Sequence, residues 1–431
     1  MKIDPARIST AIAARLGDAQ RLLAELIAIP SLSGKETAAM ECVERAFASI
    51  SQVQRVPLSN TLRNDKDYSD PIPGIEYDGR WNLCARQAAP AGGRTLLLNT
   101  HVDTVPPAQG QVDPFVPTIR DGSMFGRGAC DAKGQVATIW LAMAAMKDLG
   151  ISADVRAHLV VEEENGGNGT LGMVRAMEAP AGRPGTSPCF RTGLSLNDPI
   201  CVVLEPTDLK VLSSIRGAVW FRVTLTGRAG HSGQAGATRS ALKMAIRVVE
   251  ILEGYHARLL AASRGQGMFD KFPNPMPLTV GHLEAGNWPA TAPSQAVLEG
   301  VLGLLPNKTA RQVMDEMTAA IAEEGGPDIA ENFKIHFTYR HDSSVCPADH
   351  PLVAGLLAAL AESGSAAVID AMTASCDAWL YNNQLNIPTV VFGGGSLSVA
   401  HSAQENMPLS GLAAAASVIA NFATQWCGSK A

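Results

Sequence analysis

The chain has 431 residues, 46% of them hydrophobic and 18% charged, with a formal net charge of −6. That length allows two or three domains with a sizeable core, and the mild acidity excludes the basic footprint of a nucleic-acid or anionic-membrane binder. No apolar run reaches the roughly 18 residues of a membrane helix, and Met1–Arg7 shows no signal-peptide core. The partner implied is therefore a small molecule, with no nucleic acid and no membrane. Eight cysteines at 42, 84, 130, 189, 201, 346, 376 and 427 form no C-x-x-C pair. In a chain this long they read as reduced thiols in a cytoplasmic protein.

Residues 7–28 carry apolar positions at helical spacing and stop before Pro30. Thr95–His101 is a short continuous apolar run, as in a buried parallel strand. A helix is expected over 135–149, strands over 155–161 and 200–204, and a Pro/Gly-rich surface loop over 179–188. Near the C-terminus a strand at 389–392 runs into three glycines, and 409–424 closes as a helix. Alternation of this kind predicts an α/β fold with a largely parallel sheet.

The middle follows another pattern: strand 218–225, helix 239–262, strands 278–282 and 296–305, helix 309–323 and an edge strand at 333–339. This β-α-β-β-α-β order is the ferredoxin-like unit. An α+β domain is thus expected at 213–341, inserted into a domain formed by 1–212 and 342–431.

Chemistry-bearing residues gather where strands end. His101 and Asp103 lie two apart, so in extended chain both face one side; alone, the pair suits a plain strand-end histidine better than a ligand. Asp131, in the glycine-rich turn Gly126–Gly134, can cap the following helix or offer two oxygens to two metal ions. Glu162, Glu163 and Glu164 follow an apolar strand, at the end where α/β ligand sites form. Neighbouring side chains diverge there, so one glutamate can bind metal while another stands off as a base. Asn165–Gly169 lacks the spacing of a dinucleotide loop. Glu205 exits another strand, and His401 follows the last one. Two histidines and three carboxylates from five segments suit two divalent ions sharing one carboxylate.

The chain resembles the aminoacylase, acetylornithine deacetylase and succinyl-diaminopimelate desuccinylase family of di-zinc metallopeptidases. The matching stretches run in order: Asn99–Pro107, Phe125–Gly134, Glu162–Gly169, Leu204–Thr207, Gly230–Ser232 and Phe392–Glu405. The resemblance implies a C–N hydrolase, N-acyl amino acid deacylase-like, with two divalent metal ions, zinc ahead of manganese or cobalt. It implies that His101 and Glu205 bind one ion, Glu164 and His401 the other, and that Asp131 bridges them through a cis Asp131–Ala132 turn. Glu163 would be the general base for a metal-bound water, and Asp103 the partner of His101. His231 would reach from the inserted lid domain into the active site of the other subunit of a homodimer.

Two departures concern substrate binding. Ala290 and Gly303 stand where relatives often carry an asparagine and an arginine that hold the substrate carboxylate. Asn287 is three residues from the first of these. Gly393-Gly394-Gly395 replaces G-P-G, and Gly394 and Gly395 can offer backbone N–H groups to an anion. These changes keep two alternatives open: hydrolysis of an atypical C–N substrate, such as an aryl amine or carbamoyl compound, and an inactive metal-bound scaffold.

Overall fold

The computed structural model describes residues 3–89, 93–178, 196–233 and 235–428, so the loop expected at 179–188 and Cys189 lie outside the described residues. A nine-stranded sheet organises most of the chain. Its centre is four parallel strands, in the order Asp154–Val160, Thr95–His101, Ile200–Val203 and Thr389–Val391. Antiparallel strands flank them, Gln52–Pro57 and Trp81–Gln87 on one side and Val211–Ile215 and Ser344–Val345 on the other. The fold is thus mixed α/β around a parallel centre.

Every residue of Thr95–His101 is buried because both faces of the sheet are covered. Leu96 and Leu98 join one core cluster and Leu97 another on the opposite face, as the two-residue period requires. The first cluster is closed by helices Pro5–Ala28, Lys133–Asp148 and Leu409–Gly428. Lys133–Asp148 is buried on nearly all sides, which explains why its sequence is apolar without an amphipathic stripe. Pro5–Ala28 begins with proline behind Asp4, whose carboxylate accepts the Ala6 N–H at 2.9 Å and satisfies one orphan donor of the first turn.

A second, four-stranded antiparallel sheet has the order Leu278–Ala285, Gln295–Leu304, Gly217–Thr226, Phe333–His341. With helices Ala241–Ala262 and Ala310–Glu324 it follows the β-α-β-β-α-β sequence. Val219, Phe221, Val223 and Leu225 face these helices in a separate core, while Trp220, Arg222 and Thr226 point to the open side as exposed residues. The position 213 falls inside Val211–Ile215, a strand of the large sheet; the small sheet begins at Gly217. The two strands are separated only by Arg216, so hydropathy alone runs them together. The segment around Ser69 joins the sheets: the Asp70 N–H donates to Thr338 O at 2.7 Å, and the Ser69 N–H to Asn168 Oδ1 at 3.0 Å.

Candidate metal centre

Three of the four parallel strands end on a cluster of acidic and imidazole groups. His101 is the last residue of its strand, and its ring is almost wholly buried. Nδ1 lies 3.0 Å from the main-chain oxygen of Asp103 and 3.3 Å from its carboxylate. Nε2 is thereby directed at Asp131 Oδ1, 3.1 Å away, with Glu205 Oε1 at 3.7 Å and Glu163 Oε2 at 4.0 Å. The other oxygen of Asp131, Oδ2, faces His401 Nε2 at 3.2 Å, and Glu164 Oε2 is also 3.2 Å from that nitrogen. One ligand atom each from His101, Asp131 and Glu164 lies within 4.8 Å of the others.

Local backbone explains how each group arrives. Asp131–Ala132 is a cis peptide, as the resemblance implied. The Cys130 and Asp131 N–H groups both donate to Glu405 Oε1 at 3.3 Å, and Arg127 holds the other oxygen of Glu405 at 2.5 Å. Glu162 has φ of +60° and His401 of +59°, a region that costs a non-glycine residue about 1–3 kcal/mol. At Glu162 the surroundings over-determine it. Its buried carboxylate accepts from Tyr77 at 2.6 Å, Arg80 at 3.0 Å, Asn165 at 3.1 Å and Asn168 at 3.0 Å. The first glutamate of the run is therefore structural, and the turn it anchors presents the next two. Asp103 completes that turn, accepting the Glu163 N–H at 3.0 Å, the Glu164 N–H at 3.2 Å and the Ser33 hydroxyl at 2.8 Å.

Electrostatics follow from crowding four acids in a dry site. Burial, reinforced by Asp377 and the neighbouring carboxylates, pushes Glu163 well above the ordinary carboxylate range, and burial does the same to Glu205. Glu164 is raised by burial and by Asp131. Asp131 moves the other way: hydrogen bonds from His101 and His401 outweigh its burial. The hydrogen bonds to Asp131 and Glu164 raise His401 to about 11. Neutral imidazole and carboxylate donors at this spacing fit divalent metal ions.

The remaining expected residues lie elsewhere. His231 is exposed on the short strand Gly230–His231, paired with Thr291–Ala292, and its Nδ1 accepts the Gly233 N–H at 3.1 Å. Asn287 is exposed on the adjoining loop and lines a surface cleft with Ala229 and Glu284. Gly394 and Gly395 are buried at the last strand exit; Gln135 donates to Gly394 O at 2.7 Å, and Asp208 N–H to Gly395 O at 2.7 Å. Sequence reasoning passed over Glu405 and Asp377. Asp377 is buried, accepts from Thr170 at 2.5 Å, and is raised to about 7 by burial. Its signal is faint: one acid in Ser375-Cys376-Asp377-Ala378, five residues after the short strand Ile369–Met372 ends.

A model of Peptidase family M20/M25/M40 matches residues 97–425. The chain belongs to that family. Among its relatives, a probable carboxypeptidase of Emericella nidulans is 28% identical over 304 residues, 70% of this chain and 66% of that protein. The chain thus spans slightly less than two thirds of that relative's length. An acetylornithine deacetylase of Salmonella paratyphi B is 25% identical over 388 residues, 88% of this chain and 90% of its own. The fold is that of the di-peptidase Dug1p of Saccharomyces cerevisiae, at 13% identity, a TM-score of 0.78 and full coverage of both chains. A dinuclear metal binding peptidase of Bacillus subtilis shares it at 14% identity and a TM-score of 0.64, over 97% of this chain and 99% of that one.

Proposed function

We propose that this protein is a two-metal hydrolase that cleaves a C–N bond, an amide in the first instance, in a small substrate. The observation that carries the reading is the convergence of His101, Asp131 and Glu164 within 4.8 Å, flanked by Glu205 and His401. The family match and relatives named as carboxypeptidase and acetylornithine deacetylase support an amide substrate. In this reading His101 and Glu205 would hold one ion, Glu164 and His401 the other, with Asp131 shared between them. Zinc suits this nitrogen and oxygen donor set ahead of manganese or cobalt. When bound, such ions lower the pKa of water and stabilise negative charge on oxygen.

The chain's own groups supply the rest. Glu163 is the general base: its Oε2 stands 4.0 Å from His101 Nε2, where it accepts a proton from the attacking water and returns it to the leaving nitrogen. Asp103 fixes the orientation of His101 and, through the main chain, of Glu163. His231 of the partner subunit donates to the oxyanion of the tetrahedral intermediate. The dimer this requires would use the unpaired edge of Leu278–Ala285 and the neighbouring helix, where Leu283, Leu242 and Ile246 are exposed. Among the described residues seven buried cysteines without a disulfide suit a cytoplasmic setting, and no helix is long and apolar enough to cross a membrane.

The test is a mass-spectrometric screen of N-acyl amino acids, dipeptides and aryl amides against metal-reconstituted protein. Turnover that depends on metal and stops on chelation is expected. Protein with both metals bound and no turnover of any amide would point instead to a binding scaffold.

A further inference from the structure

The turn that presents Glu163 and Glu164 is gripped at both ends. Asp103 takes the N–H groups of the two glutamates. The turn then closes on itself, the Gly166 and Gly167 N–H groups donating to Glu163 O at 2.9 and 3.0 Å. At its far end Gly166 O faces His341 Nε2 at 3.0 Å. His341 does not come from the large sheet: it is the last residue of Phe333–His341, an edge strand of the small one. The turn that carries the proposed base is thus hydrogen-bonded from the other sheet.

Neighbouring groups fix the direction of this contact. A carbonyl can only accept, so Nε2 carries the proton. Burial keeps the ring neutral, its pKa pushed down to about 3, and a neutral ring protonated at Nε2 leaves Nδ1 as an acceptor. The Tyr339 hydroxyl, 2.8 Å away, therefore donates to Nδ1, and its own oxygen accepts from Ser375 Oγ at 2.9 Å. Three hydrogen bonds run one way, from Ser375 to Gly166. The ring is also held in place, with Tyr339 and Trp379 against it at centroid distances of 4.2 and 4.9 Å.

This chain of bonds lies beside the base, whose charge adds to burial in raising the Tyr339 pKa. Glycine permits the close approach: Gly167 has φ of +71°, and a Cβ there would lie 3.3 Å from His341 Cε1 and 2.6 Å from Asp377 Oδ1. A general base works only within hydrogen-bond reach of its proton, about 2.6–3.2 Å. Misplacing a reacting group by about 1 Å can cost on the order of 10²-fold. Joining two sheets needs only apolar contact. A ring whose tautomer is set by two hydroxyls and aimed at the carbonyl of this turn does more than join them.

We infer that His341 is a positioning residue for the reaction. Held in its Nε2–H form by Tyr339 and Ser375, it fixes the turn that carries Glu163, so that the base takes its place from the small sheet as well as the large one. The inference rests on the hydrolase reading and adds to it a residue that touches neither substrate nor metal.

The experiment compares zinc-loaded wild type with His341→Phe, which keeps a ring in the stack but has no N–H, and His341→Gln, whose amide offers both a donor and an acceptor. The substrate is the amide that wild type turns over fastest in the screen. His341→Phe should lose about 10–100-fold in kcat with KM changed less than about threefold, at unchanged metal content. His341→Gln should recover to within about fivefold of wild type. Hydrogen exchange followed by mass spectrometry reads the turn without turnover. Amides of 163–167 should exchange about tenfold faster in His341→Phe, and not in His341→Gln, while the strands of the large sheet stay unchanged. Wild-type kcat in His341→Phe, equal losses in both variants, or exchange that quickens throughout the molecule overturns the assignment and leaves the hydrolase reading intact. If wild type turns over no amide, the hydrolase reading falls and exchange alone decides on His341: local acceleration in the phenylalanine variant only supports it, and any other pattern overturns it. If His341→Phe does not fold, Tyr339→Phe, which frees the tautomer, carries the test with an expected loss of about 3–10-fold in kcat; unchanged kcat and exchange there overturn the assignment.

Discussion

In the large sheet, Thr95–His101 and Ile200–Val203 are buried along their whole length and meet charge only where they end. In the small sheet, Gly217–Thr226 is buried on one face only, and Arg222, Glu299 and His282 form a chain of polar contacts along its open side at 2.7 and 2.8 Å. The first arrangement suits ligands that must not move, because a strand packed on both faces fixes its final side chain. The second leaves one face for contacts that form and break, as a lid or a subunit interface requires. Expensive errors should therefore fall on different measurements in the two regions: turnover and stability in the first, turnover alone in the second.

The largest effect is expected at the base. Glu163→Ala should retain two metals by elemental analysis yet lose about 10²–10⁴-fold in kcat; near-normal kcat with both metals bound would remove Glu163 from the mechanism. His231→Ala should cost about 10²–10³-fold in kcat without a change in melting temperature. Mixing it with Glu163→Ala subunits should restore activity, because a hybrid dimer has one intact site. Hybrids that form from two inactive parents and recover nothing would rule out sharing across the interface.

Stability experiments separate the sheets further. Leu98→Ala, at a fully buried position of the large sheet, should cost about 2–5 kcal/mol in denaturant unfolding. Thr226→Ala, on the open side of the small one, should cost less than about 0.5 kcal/mol. Similar losses at both would erase the distinction.

A further effect on stability concerns acid. His158, in the large sheet, and His341, at the end of the small one, are both held neutral by burial, their pKa lowered from 6.5 to about 3. The unfolded chain binds these protons and the folded one does not. The stability they contribute is therefore complete above pH 6.5 and is lost as pH falls toward 3. Each histidine should remove about 1.4 kcal/mol per pH unit within that window. Unfolding free energies at pH 7, 6 and 5 check this, and a flat profile would mean that water reaches both rings.

Much of this was legible in the sequence because the parallel strands are short apolar runs ending in functional groups. His101, Glu164 and Glu205 announce themselves by following such runs. Less legible were the edge strands: Gln52–Pro57 is polar and half exposed, so its pairing depends on Trp81–Gln87 beside it. Glu405 gave no signal either, because its role depends on Arg127, 278 positions away. Glu162 is the instructive case. Three identical residues in a row carry no sign of which one turns inward, and only Tyr77, Arg80, Asn165 and Asn168 decide it.

The Asp103 carboxylate also bears on how this site can change over time. One planar group faces the ring of His101, a serine hydroxyl from near the start of the chain, and two successive amide hydrogens. It works as a common datum from which the spacing of His101, Glu163 and Glu164 is set. Asparagine there would turn an amide N–H toward another N–H, and glutamate would shift the whole set by a carbon–carbon bond. Lineages descended from such a protein can remodel the substrate cleft residue by residue, while this aspartate and the turn it holds have to be inherited together.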